Sequence, residues 1–180
     1  MISVGIDFDD KEFIEFTDKL SPGKVGRAMH RTVRETSKWL RTHLLRLVKD
    51  EGIKRKAIVH RVQIYNKSWR DGSEKGKAVK VWFGIDPVPA DTVGKPVKTS
   101  KGYRVKKWKF PGAFMPTKKE GMVGKLYQRT TKQRLPIQRS KIEIDEYAES
   151  ALKKLEGQIP GRMRELAIRE LKAEIRRLKI

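Results

Sequence analysis

Residues 21–49 read SPGKVGRAMHRTVRETSKWLRTHLLRLVK. Ser21-Pro22 is a helix start, with serine at the N-cap and proline at the first helical position, where its missing N–H is no loss. Val25, Ala28, Met29, Val33, Thr36, Leu40, Leu44 and Leu47 then recur every three or four residues, one apolar stripe on a long helix. Arg27, Arg31, Arg34, Lys38 and Arg41 fall mostly off that stripe, and Gly52 is placed to end the helix. Before this helix, Ile2, Val4, Ile6 and Phe8 alternate with Ser3, Gly5, Asp7 and Asp9, the period of a half-buried strand. Asp10 can cap a short helix holding Phe13, Ile14, Phe16 and Leu20.

Beyond the helix the periodicity changes. Residues 57–65 and 79–85 are rich in branched and aromatic side chains and predict strands, joined by a polar turn at 71–76. Pro87, Pro89, Gly94 and Pro96 predict an exposed, mobile loop over 86–102. Residues 103–110 predict another strand, and Phe114-Met115 begin a further one. A turn follows at Gly121–Gly124, then a return through 126–129, and the β region ends at 134–137. From Asp145 the helical period resumes, broken once by Pro160-Gly161. The predicted class is α+β: a long N-terminal helix and C-terminal helices packed on a mainly antiparallel sheet. The division expected is an α+β domain over 1–142 and a helical segment over 143–180 packed on that same domain.

Composition narrows the function. The chain has 180 residues, no cysteine and a net charge of +21. Disulfides and thiolate metal sites are excluded, which suits a reducing cytoplasm. The first residues lack the basic start and apolar run of a signal peptide, and no stretch approaches the length of a membrane span, so a soluble protein is expected. The charge is concentrated: residues 54–119 carry 18 Lys and Arg against 4 Asp and Glu. Such a zone suits a polyanion or an acidic partner.

Catalytic patterns are missing from the sequence. His30, His43 and His60 stand in no metal-ligating spacing, and helix-face or surface histidine is the simpler reading. Asp9, Asp10, Glu12 and Glu15 suit a helix N-terminus. Gly124-Lys125 lacks the earlier glycine and the following Ser or Thr of a phosphate loop. Gly23–Gly26 and Gly121–Gly124 have the G-x-x-G form but read as a helix start and a turn. Aromatics at 69, 82, 103, 108, 110 and 127 are interleaved with lysines, open to base stacking but more simply core or interface packing. No enzyme activity, cofactor or metal is expected.

The segment 112–137 carries the most specific pattern. Gly112-Ala113-Phe114-Met115, then Leu126-Tyr127-Gln128-Arg129, then Lys132-Gln133-Arg134-Leu135-Pro136-Ile137 resembles the phage minor tail protein Z family. The order of long basic helix, central strands and C-terminal helix also agrees with that family. The resemblance implies a structural virion protein, a minor tail or tail-completion protein at the tail top. It would assemble with itself, as a ring of six to match the tail tube, and with other tail or neck proteins at the head–tail junction. Its location would be the virion, and the host cytoplasm during assembly. The motif residues Phe114, Tyr127, Arg129, Arg134, Leu135 and Pro136 become interface candidates, against a reading in which Phe114 and Leu135 are core and the arginines pair with carboxylates. DNA passing through the neck could meet the basic zone, with Lys80, Lys101, Arg104, Lys106, Lys107 and Lys109 as candidate polyanion contacts. The alternative is a sequence-nonspecific nucleic-acid-binding protein using the basic central sheet.

Overall fold

Ser21 starts the long helix as its sequence dictates: its carbonyl accepts the N–H groups of Lys24 and Val25 at 2.8 and 3.1 Å. A computed structural model of the chain describes residues 11–65, 79–118 and 120–178. The strand expected at the N-terminus and the turn at 71–76 lie outside the described residues, as do Asp10 and Trp69. Helix α1 covers Lys11–Asp18, and α2 covers Pro22–Asp50. Gly52 closes α2 with φ +94°, its N–H bonded to the Lys49 carbonyl at 2.8 Å, a conformation that costs glycine little.

A short helix α3 (Arg55–Ile58), a 3-10 turn (Val59–Arg61) and strands β1 (Val62–Tyr65) and β2 (Lys80–Phe83) follow. Then come β3 (Val88–Pro89), α4 (Ala90–Val93), β4 (Val97–Thr99), β5 (Gly102–Val105) and β6 (Trp108–Pro111). The chain ends with β7 (Tyr127–Arg129), β8 (Ile137–Arg139), β9 (Lys141–Ile142), α5 (Asp145–Glu156) and α6 (Ile159–Arg176). The class is α+β with helices at both ends. Among the described residues there is no single sheet, however: the strands form four small ones, β1-β2, β3-β9, β4-β5-β6 and β7-β8, of which the last three are antiparallel.

The chain divides into two compact units. One unit comprises, of the described residues, 11–44, 62–65, 79–82 and 150–178; the other comprises 45–61, 83–118 and 120–149. In the first, Leu20, Ala28 and Leu171 form a buried cluster flanked by Phe16, Val25 and Ile175. Thr32, Thr36 and Ser37 are buried on α2, and each hydroxyl donates to the carbonyl four residues back, at 2.8–3.0 Å, so no buried donor there is left unpaired. Glu174 on α6 is buried and accepts from Arg31 and from Arg177, the latter at 2.7 Å. The Arg31 guanidinium beside it holds its carboxyl below the usual carboxylate range, against the opposing effect of burial.

In the second unit Ile53, Ile58, Val93, Val105, Leu126 and Ile144 are fully or almost fully buried. Four expectations change here. Residues 57–61 are helical, because Ile53, Ala57 and Ile58 share a buried face at helical spacing. Residues 86–102 are not a loop: Val88 pairs with Ile142, Ala90 and Val93 are buried, and β4 and the start of β5 fall inside the stretch. Its prolines stand at element boundaries, Pro89 immediately before α4 and Pro96 before β4, where a missing N–H costs no ladder bond. Residues 103–110 are a hairpin and not one strand: Val105 faces Trp108 across a two-residue turn in which Lys106 takes φ +51°. Gly102, with φ +142°, lets this hairpin close, since a Cβ there would lie 2.4 Å from the Phe110 carbonyl oxygen. The β region also continues past 137, through β8 and β9.

Candidate assembly hairpin and cationic sheet

The family-like residues 126–129 and 132–137, with Gln138 and Arg139 after them, build one hairpin in the second unit. Strands β7 and β8 pair Tyr127 with Arg139, Gln128 with Gln138 and Arg129 with Ile137. Its root is fastened on both strands. Phe114 and Tyr127 exchange backbone hydrogen bonds of 2.8 and 3.0 Å, an isolated bridge where a full strand at 114–115 was expected. Their rings lie 6.4 Å apart, and the Arg129 guanidinium sits 5.9 Å from the Phe114 ring, a cation–π distance. On β8, Arg139 grips Asp91 of α4 with two bonds, at 3.0 and 2.5 Å, and the Asp91 carboxylate pushes the guanidinium pKa further up. Leu126, fully buried, precedes β7, and its carbonyl accepts the Ser140 N–H at 2.8 Å.

The tip differs from the root. Every residue from Arg129 to Pro136 is exposed. The bonds of the tip are internal: Thr130 N–H and its hydroxyl both reach the Pro136 carbonyl, at 3.2 and 3.1 Å, and Thr131 Oγ1 accepts from Gln133 N–H at 3.3 Å. Leu135 is 63% exposed, the most exposed large apolar side chain among the described residues. Among the described residues neither Lys132 nor Arg134 has a carboxylate partner, and Arg129 meets a ring and no acid. Leu135 is therefore not a core residue, and among the described residues Arg129 and Arg134 enter no ion pair. Phe114 is half-buried and Tyr127 likewise, so these two hold the root while Arg134, Leu135 and Pro136 form the tip.

The six candidate polyanion contacts separate by environment. Lys106 donates to the Gly52 carbonyl. Lys107 pairs with Glu51 at 3.2 Å and lies 5.2 Å from the Trp108 ring and 4.7 Å from the Tyr147 ring. The Glu51 hydrogen bond raises its pKa. These two lysines thus strap the β5–β6 turn to residues just past α2. Lys101, Arg104 and Lys109 are exposed, with no side-chain partner among the described residues. Lys80 is exposed on β2, in the other unit. Trp108 is held edge-on to Tyr147, ring centroids 6.4 Å apart, so its ring serves packing.

The remaining chemistry is quickly described. His43 stacks on Trp39 with centroids 4.5 Å apart, its Nδ1 2.9 Å from the Trp39 carbonyl oxygen, a helix-face histidine. Both border a cleft of about 260 Å³ with Glu35, Lys38, Arg162 and Arg169, where Glu35 is tied to Lys38 at 2.7 Å and Arg169 to Glu170 at 2.9 Å. Gly23 and Gly26 lie in the first turns of α2, and Gly121 and Gly124 in a turn with φ +73° and +76°. Among the described residues no group of three or more His, Asp or Glu is arranged to hold a metal ion, and no helix is long and apolar enough to cross a membrane.

Two ties escaped sequence reasoning: Arg139–Asp91 and Lys107–Glu51 join residues about fifty positions apart, and no local spacing signals either. Comparison of the chain with protein families, with characterised proteins and with solved structures finds no match.

Proposed function

We propose that this chain is a structural virion protein of a tailed phage, a minor tail or tail-completion protein that works by docking and turns over no substrate. One observation carries the reading: the segment resembling the minor tail protein Z family ends in a hairpin whose root is pinned and whose tip presents an exposed Leu135 between Arg134 and Pro136. A large apolar side chain held out on a braced loop gains nothing by folding; burying it against another surface would contribute about 1.5–3 kcal/mol. The tip cations suit an acidic rim on the neighbour. On this reading copies form a ring, of six if it follows the tail tube, in contact with other tail or neck proteins. The protein would then reside at the head–tail junction, after assembly in the host cytoplasm.

Sedimentation of the chain alone and with purified phage tail and neck proteins tests the assignment. Formation of a multimer, alone or on those partners, is expected. Arg134→Ala and Leu135→Ala should keep wild-type stability within about 0.5 kcal/mol, as exposed substitutions do, yet lose the multimer. A chain that stays monomeric beside every tail component would overturn the proposal.

A further inference from the structure

We propose that the outer face of the β4-β5-β6 sheet holds the phosphate backbone of duplex DNA, with Lys101, Arg104 and Lys109 as the contacts. This rests on a different part of the molecule from the docking hairpin and does not depend on the tail assignment.

The register defines the face. Val97 pairs with Arg104 and Arg104 with Lys109, so these three point to the same side, together with Thr99, Gly102 and Pro111. Tyr103, Val105, Trp108 and Phe110 occupy the opposite side, where Val105 and Phe110 are buried. The outer side therefore sets two cations directly opposite each other, an arrangement that destabilises a sheet. It includes no carboxylate, and Lys101 adds a third charge in the β4–β5 turn.

Three other cations of the same unit are matched: Lys107 to Glu51, Arg139 to Asp91, and Lys106 to a backbone carbonyl. On this face Arg104 and Lys109 stand opposite each other with no acid beside either among the described residues. An unmatched pair that costs folding free energy is explained by an anion supplied from outside.

The residue types select among anions. A single strand is held by aromatic platforms on which bases stack, and the aromatics of this sheet all lie on its other side. A protein partner needs an aromatic or large apolar anchor, and the apolar residues of this face are the small Val97 and Pro111. What it does offer is long flexible cations around small residues, which suits a regular array of phosphates approached without base reading.

The test is anisotropy of a labelled 20-base-pair duplex and of the matching single strand, with the full chain, from 50 to 200 mM salt. Two double variants remove equal charge: Arg104→Gln/Lys109→Gln on the face, and Arg27→Gln/Arg34→Gln on α2. Loss of two phosphate contacts lowers the log–log salt slope by about 2, so across that range wild type should lose about tenfold more affinity than the face variant. The α2 variant should keep the wild-type slope, and the duplex should bind more tightly than the single strand. Equal weakening by both variants would mean diffuse attraction to a basic chain and would overturn the proposal. Tighter binding of the single strand would do the same. So would unchanged duplex binding by a face variant that fails to join tail proteins, since the face would then belong to an acidic protein.

Discussion

The two hairpins of the second unit, β5–β6 and β7–β8, use the same ingredients in opposite ways. Each is antiparallel and rich in Lys and Arg. The first has a two-residue turn tied down by Lys106 and Lys107, and leaves its charges free on a sheet face. The second is tied down at its root by Arg139 and Asp91, and leaves its charges free at a seven-residue tip. In both, a cation is matched where the backbone must be held and unmatched where another molecule could arrive. The lesson is that basicity alone identifies no function. The pairing state of each cation separates those that serve folding from those available to a partner.

Four substitutions probe that contrast. Leu126→Ala, at the buried root of β7–β8, should cost about 2–5 kcal/mol in urea-induced unfolding, the range for emptying a core position. A cost as small as that of Leu135→Ala would dissolve the distinction between root and tip. Arg139→Ala leaves Asp91, with a side chain only 10% exposed, without its partner. A loss of about 1–3 kcal/mol is expected, whereas Arg134→Ala, also an arginine of this segment, should be neutral.

The smallest effect concerns the first unit, where Glu174 is matched by Arg31 and Arg177. Its carboxyl is held below the ordinary value of 4.5, so its contribution to stability is complete above that pH and disappears as pH falls through the depressed value. Circular dichroism during acidification should show wild type losing stability below pH 4.5 more steeply than Glu174→Gln. Parallel acid profiles would show that this matched charge contributes nothing to the native state.

The helices were readable because their signals are local. Ser21-Pro22, the stripe from Val25 to Leu47 and Gly52 all act within a few residues, and α2 spans Pro22–Asp50 accordingly. The change of period at Asp145 and the break before α6 belong to the same kind of signal. Short strands were harder. Residues 103–110 looked continuous because Val105 and Trp108 flank lysines that any strand could carry; only the positive φ of Lys106 folds them back. Residues 86–102 looked loose because proline was counted as a breaker, although Val88 finds its partner at Ile142, more than fifty positions later.

The candidate sites divide along the same line. Sequence marked both the basic zone and the 112–137 motif, since charge and residue order need no fold to be counted. It could not say that Lys107 is paired while Arg104 is not, because that depends on Glu51 arriving beside one and, among the described residues, no acid arriving beside the other. Nor could it choose between core and surface for Leu135, whose exposure follows from where the hairpin root is anchored. Helix-forming tendency and net charge are sums over neighbours along the chain, and a linear reading captures them. Strand pairing, burial and charge matching are relations between distant positions, and they acquire values when the backbone closes on itself.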